Sequence, residues 1–119
     1  MIQGVHTMLY SSDAAGLRSF LRDKLGLQAT DIGDGWLIFD LPEADLGCHP
    51  ATNEEGHGAP SGTHDISFYC QDIEATVREL KAKDVEFRGA IEDHGYGLVT
   101  YFKVPGDFWL QLYQPKYRK

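Results

Sequence analysis

Apolar and polar residues alternate along residues 3–11, which predicts a strand. The period then changes. Leu17, Phe20, Leu21 and Leu25 fall at helical spacing and form one apolar stripe. Asp13 is a good N-cap for that helix, and Gly26 supplies the left-handed residue that ends it. Residues 27–32 predict a second strand and Gly33-Asp34-Gly35 a turn. WLIFDL at 36–41 predicts a third strand stopped by Pro42, and residues 44–49 a short fourth strand stopped by Pro50. Residues 50–62, PATNEEGHGAPSG, hold turn formers without apolar periodicity and predict a loop.

The pattern then starts again. Residues 63–71, THDISFYCQ, predict a strand, and Asp72 caps a helix whose Ile73, Val77 and Leu80 form its apolar stripe. Residues 85–91 predict a strand, 92–97 (EDHGYG) a loop, 98–104 a strand stopped by Pro105, and 108–114 a strand stopped by Pro115. The GVH at 4–6 recurs as GTH at 62–64, and the two capping aspartates and the two final prolines recur at a spacing of roughly 60 residues. Identity between the halves is low, so element order and punctuation carry the repeat.

Each half therefore reads strand, helix, strand, strand, strand. The expected fold is α+β: two βαβββ modules forming a curved mixed sheet around a concave pocket. The expected organisation is a single domain over 1–119, with module 1 at about 1–56 and module 2 at about 59–119. Four strands with one helix cover only one face of their sheet, so the other face is left to enclose a small molecule.

Composition narrows the partners. A net charge of −7 and a pI near 5.0 lack the basic face that nucleic-acid binding needs. No apolar run is long enough for a membrane span, and the first ten residues show no basic-then-apolar leader. Cys48 and Cys70 do not make a disulfide framework, so a cytoplasmic setting is expected.

Alternation also predicts which side chains share the pocket face. His6 goes with Met8 and Tyr10, and His64 with Ile66, Phe68 and Cys70. Trp109, Gln111 and Tyr113 share a face of the last strand, and Leu46 and Cys48 hold the equivalent positions in the first half. Tyr96 lies in the EDHGYG loop at the expected pocket mouth, while alternation leaves the facing of Trp36 and Tyr101 open.

The element order, HTML on the first strand and the ending VPGDFWLQLYQP resemble the vicinal oxygen chelate superfamily. That group includes glyoxalase I, fosfomycin-resistance thiol transferases, extradiol dioxygenases, methylmalonyl-CoA epimerase and bleomycin-resistance binding proteins. The resemblance spans essentially the whole chain. It implies a divalent metal ion held by His6, His64 and Gln111, with two vicinal oxygens of a substrate filling the open positions. The last-strand ligand is usually glutamate in that group, so Gln111 is a departure, though some glyoxalase I proteins use glutamine. An amide in place of a carboxylate removes a negative charge and weakens retention of the ion. The amide also cannot take a proton, which leaves His94 as the candidate catalytic base. His49 has the wrong parity and His57 lies in the polar loop.

Two functions follow from the resemblance: a metal-dependent lyase, isomerase or transferase on a small oxygenated substrate, or a metal-free drug-sequestering binder. A dioxygenase is disfavoured by the missing carboxylate. Small members of the group commonly complete their pockets across chains, so a homodimer is implied, with His6 and His64 from the same or different subunits. The plainer reading remains beside these: strand histidines with satisfied ring nitrogens, a buried amide bonded to a neighbour, and aromatics that serve as core.

Overall fold

The computed structural model describes residues 1, 3, 6–52 and 58–117. In chain order its elements are α1 (Ala14–Asp23), β1 (Gln28–Asp31), β2 (Leu37–Asp40), β3 (Ser67–Tyr69), α2 (Ile73–Ala82), β4 (Glu92–Asp93), β5 (Gly97–Val104) and β6 (Phe108–Pro115). This is an α+β architecture with two sheets. Both helices start where their aspartates predict. The Asp13 carboxylate accepts from the Gly16 N–H at 3.0 Å, and that of Asp72 from the Ala75 N–H at 3.0 Å. Each satisfies one backbone donor that the first helical turn leaves unpaired. Gly26 after α1 sits at φ +69°, the left-handed conformation expected of it.

The second half builds a four-stranded sheet in the order β3-β6-β5-β4, with β3 parallel to β6 and the other neighbours antiparallel. The long β5–β6 hairpin runs in register from Gly97 opposite Pro115 to Val104 opposite Phe108. Its three-residue turn places Gly106 at φ +98° and Asp107 at φ +60°. The expected strand at 85–91 is reduced to one bridge, Phe87 opposite Phe102, flanked by bonds from Arg88 N–H to Tyr101 and from Lys103 N–H to Glu86. Gly89, at φ +71°, bends the chain there, and pairing resumes only at β4, inside the expected loop at 92–97.

In the first half, β1 and β2 form a separate antiparallel hairpin around the expected Gly33-Asp34-Gly35 turn. The other two strands expected there differ from the reading. The described part of 3–11 forms no ladder, and Gly4 and Val5 lie outside the described residues. Residues 44–49 form none either. By analogy with β3 and β6 these segments would pair in parallel, which is slightly weaker per residue and needs a long crossover. The short ADLGCH run, held between Pro42 and Pro50, has few β-formers to offset that.

The core sits on one side of the four-stranded sheet. Leu17 and Leu21 of α1, Ile73, Val77 and Leu80 of α2, and Phe102, Val104, Leu110 and Leu112 of the hairpin form one buried cluster. Phe102 is at its centre, with Phe20, Phe68 and Phe87 rings 6.1–6.4 Å away. Thus α1 packs on strands far from it in sequence. Ser11, just before α1, donates to the Pro105 carbonyl at 2.7 Å and ties the same segment to the β5–β6 turn. Among the described residues no helix is long and apolar enough to cross a membrane.

Candidate functional site

With one sheet face given to the helices, the side chains of opposite parity define the other. The register sets Ser67 beside Gln111, Gln111 beside Tyr101, and Arg88 beside Tyr101. These four make a row across the sheet. The Ser67 hydroxyl donates to Gln111 Oε1, and Gln111 Nε2 donates to the Tyr101 hydroxyl at 3.1 Å. The Arg88 guanidinium lies over the Tyr101 ring, 4.6 Å from its centroid, and 5.6 Å from that of Trp109. Lys103 lies 5.8 Å from the Trp109 ring and pairs with Asp107 at 3.3 Å and Glu86 at 3.9 Å.

This register corrects the shared face expected for Phe68 and Cys70. Phe68 stands beside Leu112 and stacks on Phe102, so it belongs to the helix side with Cys70. The open face receives Ser67 and Tyr69 instead. The sequence carries the physical signal: in SFYC the apolar Phe68 and Cys70 alternate with Ser67 and Tyr69, and the helices claim the apolar pair. Burial raises the Cys70 thiol's pKa, which keeps it an unreactive thiol.

Two cavities adjoin this region. One of about 360 Å³ lies against the open face and is lined by His64, Asp65, Tyr101, Trp109 and Gln111, with Leu9 and Ile66 at its side. The other, about 1220 Å³, wraps the β3 edge and reaches His6, Met8, Tyr10, Leu46, Phe68 and Tyr113. Leu9, Asp65 and Ile66 line both, so the two spaces meet at the segment before β3.

The expected site residues divide accordingly. His64, Gln111 and Trp109 share the smaller cavity. His6 is exposed and lines only the larger one. Tyr10 is 88% exposed and Leu46 82%, so neither is enclosed within one chain. Cys48 is exposed and lines neither space. His94 lies 3.2 Å from Glu92 and 3.4 Å from the Tyr96 hydroxyl, at the 92–97 turn and away from both cavities. Tyr96 packs near Tyr113, at 5.9 Å between rings. Desolvation, with hydrogen bonding to Tyr117 second, raises the Tyr113 pKa well above the ordinary phenol value. His57 lies outside the described residues.

The three metal donors implied by the resemblance are therefore not brought to one cavity within one chain. Among the described residues no group of three histidine, cysteine or acidic side chains gathers as an alternative. Gln111, moreover, is already bonded through both ends of its amide. As arranged in a single chain, this donor set does not fit a three-ligand ion. Arg88, Ser67 and Asp65 are the residues that sequence reasoning did not single out, and Tyr101 is the one whose facing it left open and the register settles.

No protein of curated function matches the sequence. Among solved structures, a lactoylglutathione lyase from Agrobacterium tumefaciens superposes with a TM-score of 0.63 at 17% identity, covering 91% of this chain and 90% of that one. An antibiotic binding protein from a Streptomyces species gives 0.64 at 19% identity, covering 98% and 100%. A member of the glyoxalase/bleomycin resistance protein/dioxygenase superfamily from Sphaerobacter thermophilus gives 0.61 at 25% identity, covering 95% and 98%. The first two likenesses speak to fold alone. The sequence model of that same superfamily matches residues 4–112, nearly the whole chain. With the helix-backed sheet, its open face and this match in agreement, the chain belongs to the Glyoxalase/Bleomycin resistance protein/Dioxygenase superfamily.

Proposed function

We propose that this chain is a metal-independent small-molecule binder of its superfamily, holding a planar ligand against the open face of the four-stranded sheet. The observation that carries this reading is Gln111. Where a metal ligand is expected, its amide is wired between Ser67 and Tyr101, beside Trp109. An amide fixed at both ends is a rigid recognition element, and aromatic walls supply apolar contact to a flat ligand. The test is thermal unfolding of chelator-treated protein against a panel of aromatic compounds. A binder at 100 times its dissociation constant stabilises by about 2.7 kcal/mol, a shift of several degrees for a domain of this size. A response that appears only after metal loading overturns the reading.

A second reading draws on one observation, the shared cavity of His64 and Gln111. In it the protein is a divalent-metal-dependent lyase, isomerase or transferase, with His6 completing the ligand set and His94 as base. Because His6 lines a different space, it would come from a second copy of the chain or from a rearranged first half. Metal content after loading, compared between the native chain and H64A, tests it: no difference between the two removes this reading.

Both readings carry a homodimer of two-module chains in a cytoplasmic setting. The support is exposed apolar surface in the first half, including Tyr10 and Leu46, together with Ile32 at 64% and Trp36 at 47% exposure. Sedimentation at micromolar concentration tests the dimer, and a monomer there refutes it.

A further inference from the structure

The row across the open face has a direction. Ser67 donates to Gln111, and Gln111 donates to Tyr101. The Tyr101 oxygen thereby accepts, and its own proton is left without an acceptor among the described residues. The amide nitrogen of Gln111 keeps a second hydrogen. Arg88 ends the row, stacked on Tyr101 and Trp109, and among the described residues it has no carboxylate within ion-pair distance. Lys103, its neighbour on the same face, is instead neutralised by Asp107 and Glu86. Three neighbouring groups thus keep unspent donors on this face, in a protein whose net charge is −7. A guanidinium held over aromatic rings is pre-organised, and its planar fork matches an oxyanion through paired hydrogen bonds.

We infer that Arg88 is a specificity-determining residue that selects planar ligands carrying an oxyanion, a carboxylate or its like, at the edge of the site. This inference rests on the binding reading above and adds the ligand's chemical class and orientation. The oxyanion lies toward Arg88 and the Tyr101 hydroxyl, and the apolar body lies along Trp109 and Gln111. Asp65, which lines the cavity at the β3 side, enforces that polarity, because its carboxylate repels an anion from the opposite end.

The test is calorimetric titration of the chelator-treated full chain with three probes of one shape: 2-naphthoate, its neutral amide 2-naphthamide, and 2-naphthylmethylamine. The native chain is expected to bind the acid about tenfold more tightly than the amide, and the amine most weakly. Arg88→Met abolishes the preference for the acid, and Arg88→Lys keeps part of it, since the charge remains and the fork is lost. Arg78→Met, on the exposed side of α2 behind the sheet, preserves it. Equal affinity for acid and amide in the native chain overturns the inference while the binding reading stands. An undiminished preference in Arg88→Met overturns the role of Arg88. Failure of all three probes to bind overturns the inference and the binding reading together.

Discussion

The two halves of this chain start from nearly the same pattern and reach different degrees of order. In the second half, β5 and β6 lock together over their full length, and β3 and α2 close around them. Among the described residues of the first half, only α1 and the β1–β2 hairpin form, and α1 takes its core from the other half. A long local hairpin repays its ordering cost immediately and gives β3 a formed edge to join in parallel, whereas in the first half the ADLGCH run between Pro42 and Pro50 has few β-formers and offers no such edge. Periodicity alone therefore does not decide which strands form. The availability of a partner does.

That contrast can be broken most decisively at its centre. Phe102→Ala removes the ring on which three other phenylalanines converge, and urea unfolding is expected to show a loss of about 3–5 kcal/mol. Leu46→Ala, its counterpart in the loosely held half, is expected to stay within about 0.5 kcal/mol for the isolated chain. A larger loss at Leu46 would mean that this side chain is covered in solution. Next in size is Gly97→Ala. An added Cβ would meet the Tyr113 ring and come within 2.7 Å of the Gln114 carbonyl, and overpacking of this kind costs about 1–3 kcal/mol by the same measurement.

The helix caps give a finer comparison. Asp72→Ala is expected to cost about 1 kcal/mol in thermal or urea unfolding, and Asp13→Ala about the same, because both carboxylates make the same bond. A much smaller loss at Asp13 would show that α1 contributes little to the cooperative unit. Smallest is a pH effect. The Lys116 ammonium, with the Gly95 N–H second, holds the Asp93 carboxyl below its ordinary pKa. A lowered folded pKa stabilises above the unfolded value, about 3.9, and that stabilisation fades as pH falls through the lower folded value. NMR titration of Lys116→Met is expected to move the Asp93 midpoint upward, toward the unfolded value.

How far the letters alone reached depends on the kind of signal. Asp13, Asp72 and Gly26 act through local bonds and local backbone angles, so their roles were legible. The β5–β6 hairpin was legible too, since Pro105 and Pro115 bracket its final strand and the alternation is strong. The facing of Phe68 and Cys70 was not, because a parity carried from His64 through the strand ignored that the helices would claim these two apolar side chains. Arg88 escaped notice for another reason. Its meaning comes from Tyr101 and Trp109, which only the sheet register brings beneath it. His6 illustrates the same limit from the other side: its place on an early segment says nothing of which cavity it reaches.

The dependence of α1 on Phe102 has a consequence for biosynthesis. At a translation rate of about 5–20 residues per second, the helix leaves the ribosome seconds before the strands that will shelter it exist. Until then Leu17, Phe20 and Leu21 have nothing of their own chain's hairpin to rest on. A chaperone that binds short apolar helices would meet its substrate during that interval, and the arrival of the hairpin would release it.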